Sequence, residues 1–229
     1  MQTDLKLIIE QITTNSLFAR LKDIQQNHKG WHDHESIFDH SVKTADIAKI
    51  VCEGDFITNP QADQLFSDWI NEDLYRLKRK EIVVLTALVH DCGKILNTRD
   101  EEQFSTLSVQ KPNYQNQNIF PGHEYWGGEL VVPKILKDTD LPSGAKQLIA
   151  SVVKQHGVFS DFFNSRKDWP IKDLINFVKS QAEGYYMESL FNMYCDGFTA
   201  SGFLYGKKRI EELFNESTLY IKREYFITE

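Results

Sequence analysis

With 229 residues, 41% of them apolar and 12% aromatic, the chain is long enough to bury a sizeable core, and its composition is globular rather than disordered. A formal net charge of −7 argues against a general nucleic-acid binder, whose affinity rests on phosphate neutralisation, but leaves room for a small phosphorylated ligand at a locally positive site. Cys52, Cys92 and Cys195 are odd in number and lack Cys-x-x-Cys spacing, which argues against a disulfide framework or zinc ribbon and fits a reducing compartment.

The start Met1-Gln2-Thr3-Asp4-Leu5-Lys6 lacks the basic and apolar regions of a signal peptide. No stretch reaches the roughly 18 apolar residues that a membrane-spanning helix needs. The expectation is a cytoplasmic protein without membrane association.

In chain order, Leu5, Ile8, Ile9 and Ile12 predict a first helix, and Leu17, Ala19, Leu21 and Ile24 a short second one. Ile37, Phe38, Val42, Ala45, Ala48 and Val51 predict an amphipathic helix carrying His40, ended by Gly54 and the Asn59-Pro60 break. Leu65, Trp69, Leu74 and Leu77 continue the helical period across 61–79. The apolar run 80–93 fits a buried helix or strand; its length, Ala and Leu content and neighbours favour helix.

Residues 97–122 are rich in Asn, Gln, Pro and Gly and read as a long loop near the site. Helical patterns resume at 124–137, 143–156, 171–182, 185–204 and 205–215. Leu219-Tyr220-Ile221 and Tyr225-Phe226-Ile227 fit a minor C-terminal hairpin. No repeat or low-complexity linker interrupts the chain, so the reading is a single all-α domain over 1–229. The basic run Arg76-Leu77-Lys78-Arg79-Lys80 reads as a solvated face, and Tyr185-Tyr186 as core.

His90 and Asp91 close the apolar run Ile82–Val89. Burying an imidazole and a carboxylate there is unfavourable unless something compensates them. His40 lies near the apolar stripe of its helix, and Asp196 follows Tyr194-Cys195 in an apolar aromatic helix. Taken jointly, these groups argue for a shared ion. Imidazole and carboxylate donors without thiolates suit manganese, iron, zinc or magnesium better than a structural zinc site. Such an ion acidifies bound water and polarises phosphoryl oxygens, alone or as one of a pair. His123 at a loop-to-helix junction and His156 at a helix end fit, taken alone, either a ligand role or an ordinary surface or helix-terminal one.

The order His40, His90-Asp91, His123, His156, Asp196 resembles the HD-domain superfamily of metal-dependent phosphohydrolases. His32 to Ser41, His90-Asp91-Cys92-Gly93-Lys94 and Gly122-His123-Glu124 are most similar to the HD domain of bacterial tRNA nucleotidyltransferases. These blocks span about 31–200. The resemblance implies an all-helical HD-type bundle whose first metal is held by His40, His90, Asp91 and Asp196. A second would use His123 and His156, with Asp91 bridging. One or two divalent ions are implied (manganese, iron, magnesium, zinc, nickel or cobalt). Lys94 resembles the lysine that faces the substrate phosphate, and His32 would contact or protonate the leaving group. Asp91 would also orient or deprotonate the attacking water.

The chain departs from relatives in lacking the nucleotidyltransferase head domain, a His-His-Glu arrangement and a Gly-Tyr-Pro signature. The implied activity is hydrolysis of a phosphomonoester or phosphodiester of a nucleotide or related small molecule. The alternatives are a di-iron oxygenase of HD fold and a non-catalytic metal- or nucleotide-binding regulatory module.

Overall fold

The computed structural model describes residues 4–26, 35–55, 57–97, 122–157, 169–181, 184–199, 211–212 and 215–216. Over these the chain is helical apart from one tiny hairpin. His32, most of the 97–122 segment, most of the 205–215 pattern and the C-terminal hairpin lie outside the described residues.

Helix α1 (Leu5–Thr14) is capped by Asp4, whose carboxylate accepts from the Lys6 amide, and it buries Ile8 and Ile12. The short α2 (Ser16–Ala19) and a 3-10 turn (Arg20–Asp23) follow, burying Phe18 and Leu21. Ser36 caps α3 (Ile37–Val51), its hydroxyl accepting from the Asp39 amide. Asn59 caps α4 (Pro60–Ile70), with Pro60 in the first turn, where its missing N–H is harmless.

The helix expected across 61–79 stops at Ile70. Strands β1 (Asp73–Leu74) and β2 (Leu77–Lys78) pair antiparallel instead, with Leu74 opposite Leu77. Leu74 and Leu77 are three apart and imitate a helical repeat. The residues between them, Tyr75 (φ 53°) and Arg76 (φ 68°), take left-handed conformations that no right-handed helix continues through.

Helix α5 (Arg79–Val89) begins directly after β2, with the Lys78 amide donating to the Glu81 carboxylate at 2.6 Å. Every residue from Ile82 to Val89 is buried, the signature of a central helix covered on all sides. It packs against α3, against α8 (Ser143–Gln155) and against α10 (Tyr186–Thr199). Arg79, expected on a solvated face, is buried, because Glu188 and Glu72 pair with its guanidinium.

After α5 a turn and a 3-10 segment (Cys92–Asn97) lead toward the remaining elements. Helices α6 (His123–Trp126) and α7 (Val132–Leu136) are joined by a π-helical turn (Gly127–Val131). The expected helix over 124–137 is therefore one helix with a bulge. Helix α9 (Ile171–Gln181) precedes α10. Among the described residues no helix is long and apolar enough to cross a membrane.

Candidate metal centre

The centre assembles where α3, the end of α5, the start of α6, the end of α8 and the last turns of α10 converge. His40 lies on the buried face of α3, with Ser41, Thr44 and Ala45. His90 caps α5, and Asp91 follows in the turn that the Lys94 amide closes by donating to the Asp91 carbonyl at 3.0 Å. Gly93 is required here. A Cβ on it would lie 1.9 Å from the His123 carbonyl oxygen and 2.8 Å from Gly127 Cα, so only glycine lets this backbone touch the start of α6. Gly122 (φ 75°) turns the chain into α6 and makes His123 its first residue.

The four imidazoles share one orientation logic. Nδ1 of His90 meets the Ala87 carbonyl at 2.8 Å, and Nδ1 of His156 meets the Val153 carbonyl at 2.6 Å. Nδ1 of His40 meets Glu35 Oε1 at 3.2 Å, and Nδ1 of His123 lies 3.4 Å from Glu124 Oε2. With an acceptor at each Nδ1, the favoured neutral tautomer leaves every Nε2 lone pair pointing inward.

Those Nε2 atoms surround Asp91, which is 3% exposed. Its Oδ2 lies 3.6 Å from His40 and 3.5 Å from His90, while its Oδ1 lies 3.1 Å from His123 and 3.8 Å from His156. The donors form two sets, His40-His90-Asp91 and Asp91-His123-His156, each with ligand atoms within 4.8 Å of one another. Asp91 belongs to both. Asp196 joins the first set, with Oδ1 2.9 Å from His40 Nε2 and 3.6 Å from His90 Nε2.

Burial disfavours the charged forms, yet proximity wins. Desolvation raises the Asp91 carboxyl, but the Lys94 ammonium and the surrounding imidazoles hold it well below the usual carboxylate range. Asp196 is likewise raised by burial and more strongly lowered by the His40 hydrogen bond and the facing His90. Burial lowers His40, but hydrogen bonds to Asp196 and Glu35 lift it to about 9. His156 is lowered by burial and raised on balance by Asp91 and Glu124.

A divalent cation fits this donor set on one direct observation. Nε2 of His90, in a fully buried residue, has no hydrogen-bond partner among the described residues, and it faces both Asp91 and Asp196. An unpaired buried nitrogen is unfavourable by about 1–3 kcal/mol, and coordination would remove that penalty.

Lys94, 8% exposed, donates from Nζ to Asp91 Oδ2 at 2.5 Å and to Gln26 Oε1 at 3.1 Å. Gln26 also donates from Nε2 to Asp91 Oδ2 at 3.2 Å. Sequence reasoning passed over Gln26, Glu35 and Glu124 as supporting residues. Glu124 beside His123 was a readable signal; Gln26, 65 positions from Asp91, left none.

A buried cluster of histidines and aspartates inside a helical core defines a class of protein whose donor set is compatible with a divalent metal. The chain belongs to the HD domain family, whose profile matches residues 37–162, more than half its length. Proteins of this family are generally metal-dependent hydrolases. The matched span contains His40, His90, Asp91, His123 and His156; Asp196 lies beyond it and joins the centre through its contact with His40. Comparison with curated proteins gave no match.

Proposed function

We propose that this protein is a divalent-metal-dependent phosphohydrolase that cleaves a phosphomonoester or phosphodiester of a nucleotide or related small molecule, with His40, His90, Asp91, His123, His156 and Asp196 as the metal ligands. The observation that carries this reading is the place of Asp91, with one oxygen facing His40 and His90 and the other facing His123 and His156. Divalent cations supply Lewis-acid polarisation of a phosphoryl oxygen and bring the acidity of water toward neutrality.

The chain's own residues would do the rest. Asp91 orients the attacking water and accepts its proton. Lys94, held at 2.5 Å from Asp91 and steadied by Gln26, offers an ammonium to the substrate phosphate. His32 would contact the leaving group. The resemblance read from His32 to Ser41, His90 to Lys94 and Gly122 to Glu124 would make the substrate nucleotide-like. A cytoplasmic setting fits the free cysteines Cys52, Cys92 and Cys195.

The test is hydrolysis of an aryl phosphomonoester and an aryl phosphodiester by metal-loaded protein and by its His90→Ala variant. Hydrolysis of either ester, lost in the variant, supports the proposal and names the ester class. Oxygen-dependent turnover with bound iron, or tight nucleotide binding without hydrolysis of any ester, overturns it in favour of the oxygenase or the regulatory module.

A further inference from the structure

At the other end of α5 from His90, about 16 Å along the helix at 1.5 Å per residue, lies a second built feature. A cavity of about 360 Å³ opens between the end of α4, the β1–β2 hairpin and the start of α10. Its volume falls within the range of small-molecule sites. Arg79 and Glu188 line it, each 4% exposed and paired with one another, and Glu72 takes a second nitrogen of the same guanidinium. Among the described lining residues two carboxylates stand against one guanidinium, a formal excess of negative charge, with the Lys179 ammonium close by over the Tyr186 ring. That balance disfavours an anion and favours a cation.

The walls are aromatic. Trp69, Tyr75, Tyr185 and Tyr186 all line the cavity. Two of these rings already hold cations of the chain: the Arg79 guanidinium lies 5.0 Å from the Trp69 ring centroid, and Lys179 Nζ lies 5.0 Å from that of Tyr186. Tyr75 is 46% exposed. The backbone works to keep it there. A two-residue hairpin turn with both residues at positive φ favours Asn and Gly, yet here it holds Tyr75 (φ 53°) and Arg76 (φ 68°). Left-handed backbone at bulky residues persists where the surroundings enforce it, and it concentrates at ligand clamps. The Tyr75 ring is seated on Gly144, where a Cβ would come within 2.3 Å of it.

We propose that this cavity is a binding site for an organic cation, an ammonium or guanidinium group carried on an apolar body. The aromatic rings attract the cationic head through their quadrupoles. The acidic excess of Glu72 and Glu188 supplies the countercharge, and Leu74, Leu148 and Met187 receive the apolar body. The site is separate from the metal centre and stands whether or not the hydrolase reading does.

The experiment is calorimetric titration of the full chain with benzyltrimethylammonium chloride, with phenylacetate and benzyl alcohol as anionic and neutral counterparts. The expected result is saturable one-to-one binding of the cation, with weaker or no binding of the other two. Affinity should fall by about tenfold in Tyr75→Ala and in Glu72→Gln, both at partly exposed positions. Circular dichroism confirms that each variant is folded. Absence of saturable cation binding overturns the proposal. So do equal binding of phenylacetate and unchanged affinity in folded Tyr75→Ala and Glu72→Gln.

Discussion

Glu35 Oε1 lies 3.2 Å from Nδ1 of His40, on the side of the ring away from Asp91 and Asp196. The carboxylate fixes the tautomer whose Nε2 lone pair faces Asp91 and Asp196, and it makes that nitrogen a better metal ligand. Glu35→Ala should therefore weaken metal binding by about 10–100-fold, the usual effect of removing such a partner. Glu35→Gln, which still accepts a hydrogen bond, should fall between. Competition titration against a chelating dye reads the change directly.

Lys94 and Gln26 touch Asp91 without belonging to either imidazole set. Lys94→Ala should lower kcat by about 10²–10³-fold, the scale for losing one charge-stabilising donor, while the metal content stays at the wild-type value. Gln26→Ala removes only the support and should give a smaller loss. Steady-state kinetics beside elemental analysis separates the two effects. A matching loss of metal would instead make Lys94 part of the structural frame.

Gly93 is where backbone crowding can be tested. A methyl at Gly93 would overlap the His123 carbonyl oxygen at 1.9 Å, and that oxygen belongs to the backbone. Gly93→Ala should destabilise the fold by about 1–3 kcal/mol, the range for overpacking. It should also displace His123 from Asp91. Urea unfolding gives the first effect and metal stoichiometry the second.

The ionisations of the centre predict a definite sign for pH dependence. His40 is raised from its ordinary 6.5 to about 9 in the folded protein, with burial opposed by its hydrogen bonds to Asp196 and Glu35. Its contribution is fully present below about pH 6.5 and is lost as the pH climbs through about 9. Asp91 and Asp196, held well below 3.8, contribute above the carboxylate range and lose that contribution on acidification. Chelated protein should thus lose melting temperature between pH 6.5 and 9. Cation affinity should rise over the same window as the His40 proton is displaced. Thermal melts with and without chelator provide the check.

The buried Arg79–Glu188 pair gives a stability prediction away from the centre. Glu188→Ala would remove the buried carboxylate from Arg79, 4% exposed, and leave the partly exposed Glu72 as its partner among the described pairs. Breaking a buried pair from one side is unfavourable by about 3–5 kcal/mol, whereas replacing both partners by apolar residues of similar volume is often near neutral. Arg79→Met combined with Glu188→Leu should recover most of the loss in denaturant unfolding.

The sequence carried much of this architecture because helical periods report burial directly. Ile8 and Ile12, Ala45 and Ala48, and the run Ile82–Val89 are buried in the elements their spacing predicts. The hairpin at Leu74 and Leu77 was hidden, since its turn residues are not the usual Asn and Gly. Arg79 was misread as solvated because its partner Glu188 is 109 positions away and leaves no local trace. For the centre, His40, His90, Asp91 and Asp196 were readable from residue type and apolar context, His123 and His156 only through the family resemblance, and the structure brings all six together. Gln26 was not, because the second glutamine of Gln25-Gln26 carries no signal until the chain folds it onto Asp91.

The most direct test of the account is metal stoichiometry by elemental analysis, on wild-type protein and on Asp91→Asn, read beside phosphoester hydrolysis by the same samples. With Asp91 shared by both imidazole sets, wild-type protein should hold divalent metal and hydrolyse an ester, and Asp91→Asn should lose both while remaining folded by circular dichroism. Full metal content and unchanged hydrolysis in Asp91→Asn would contradict the account.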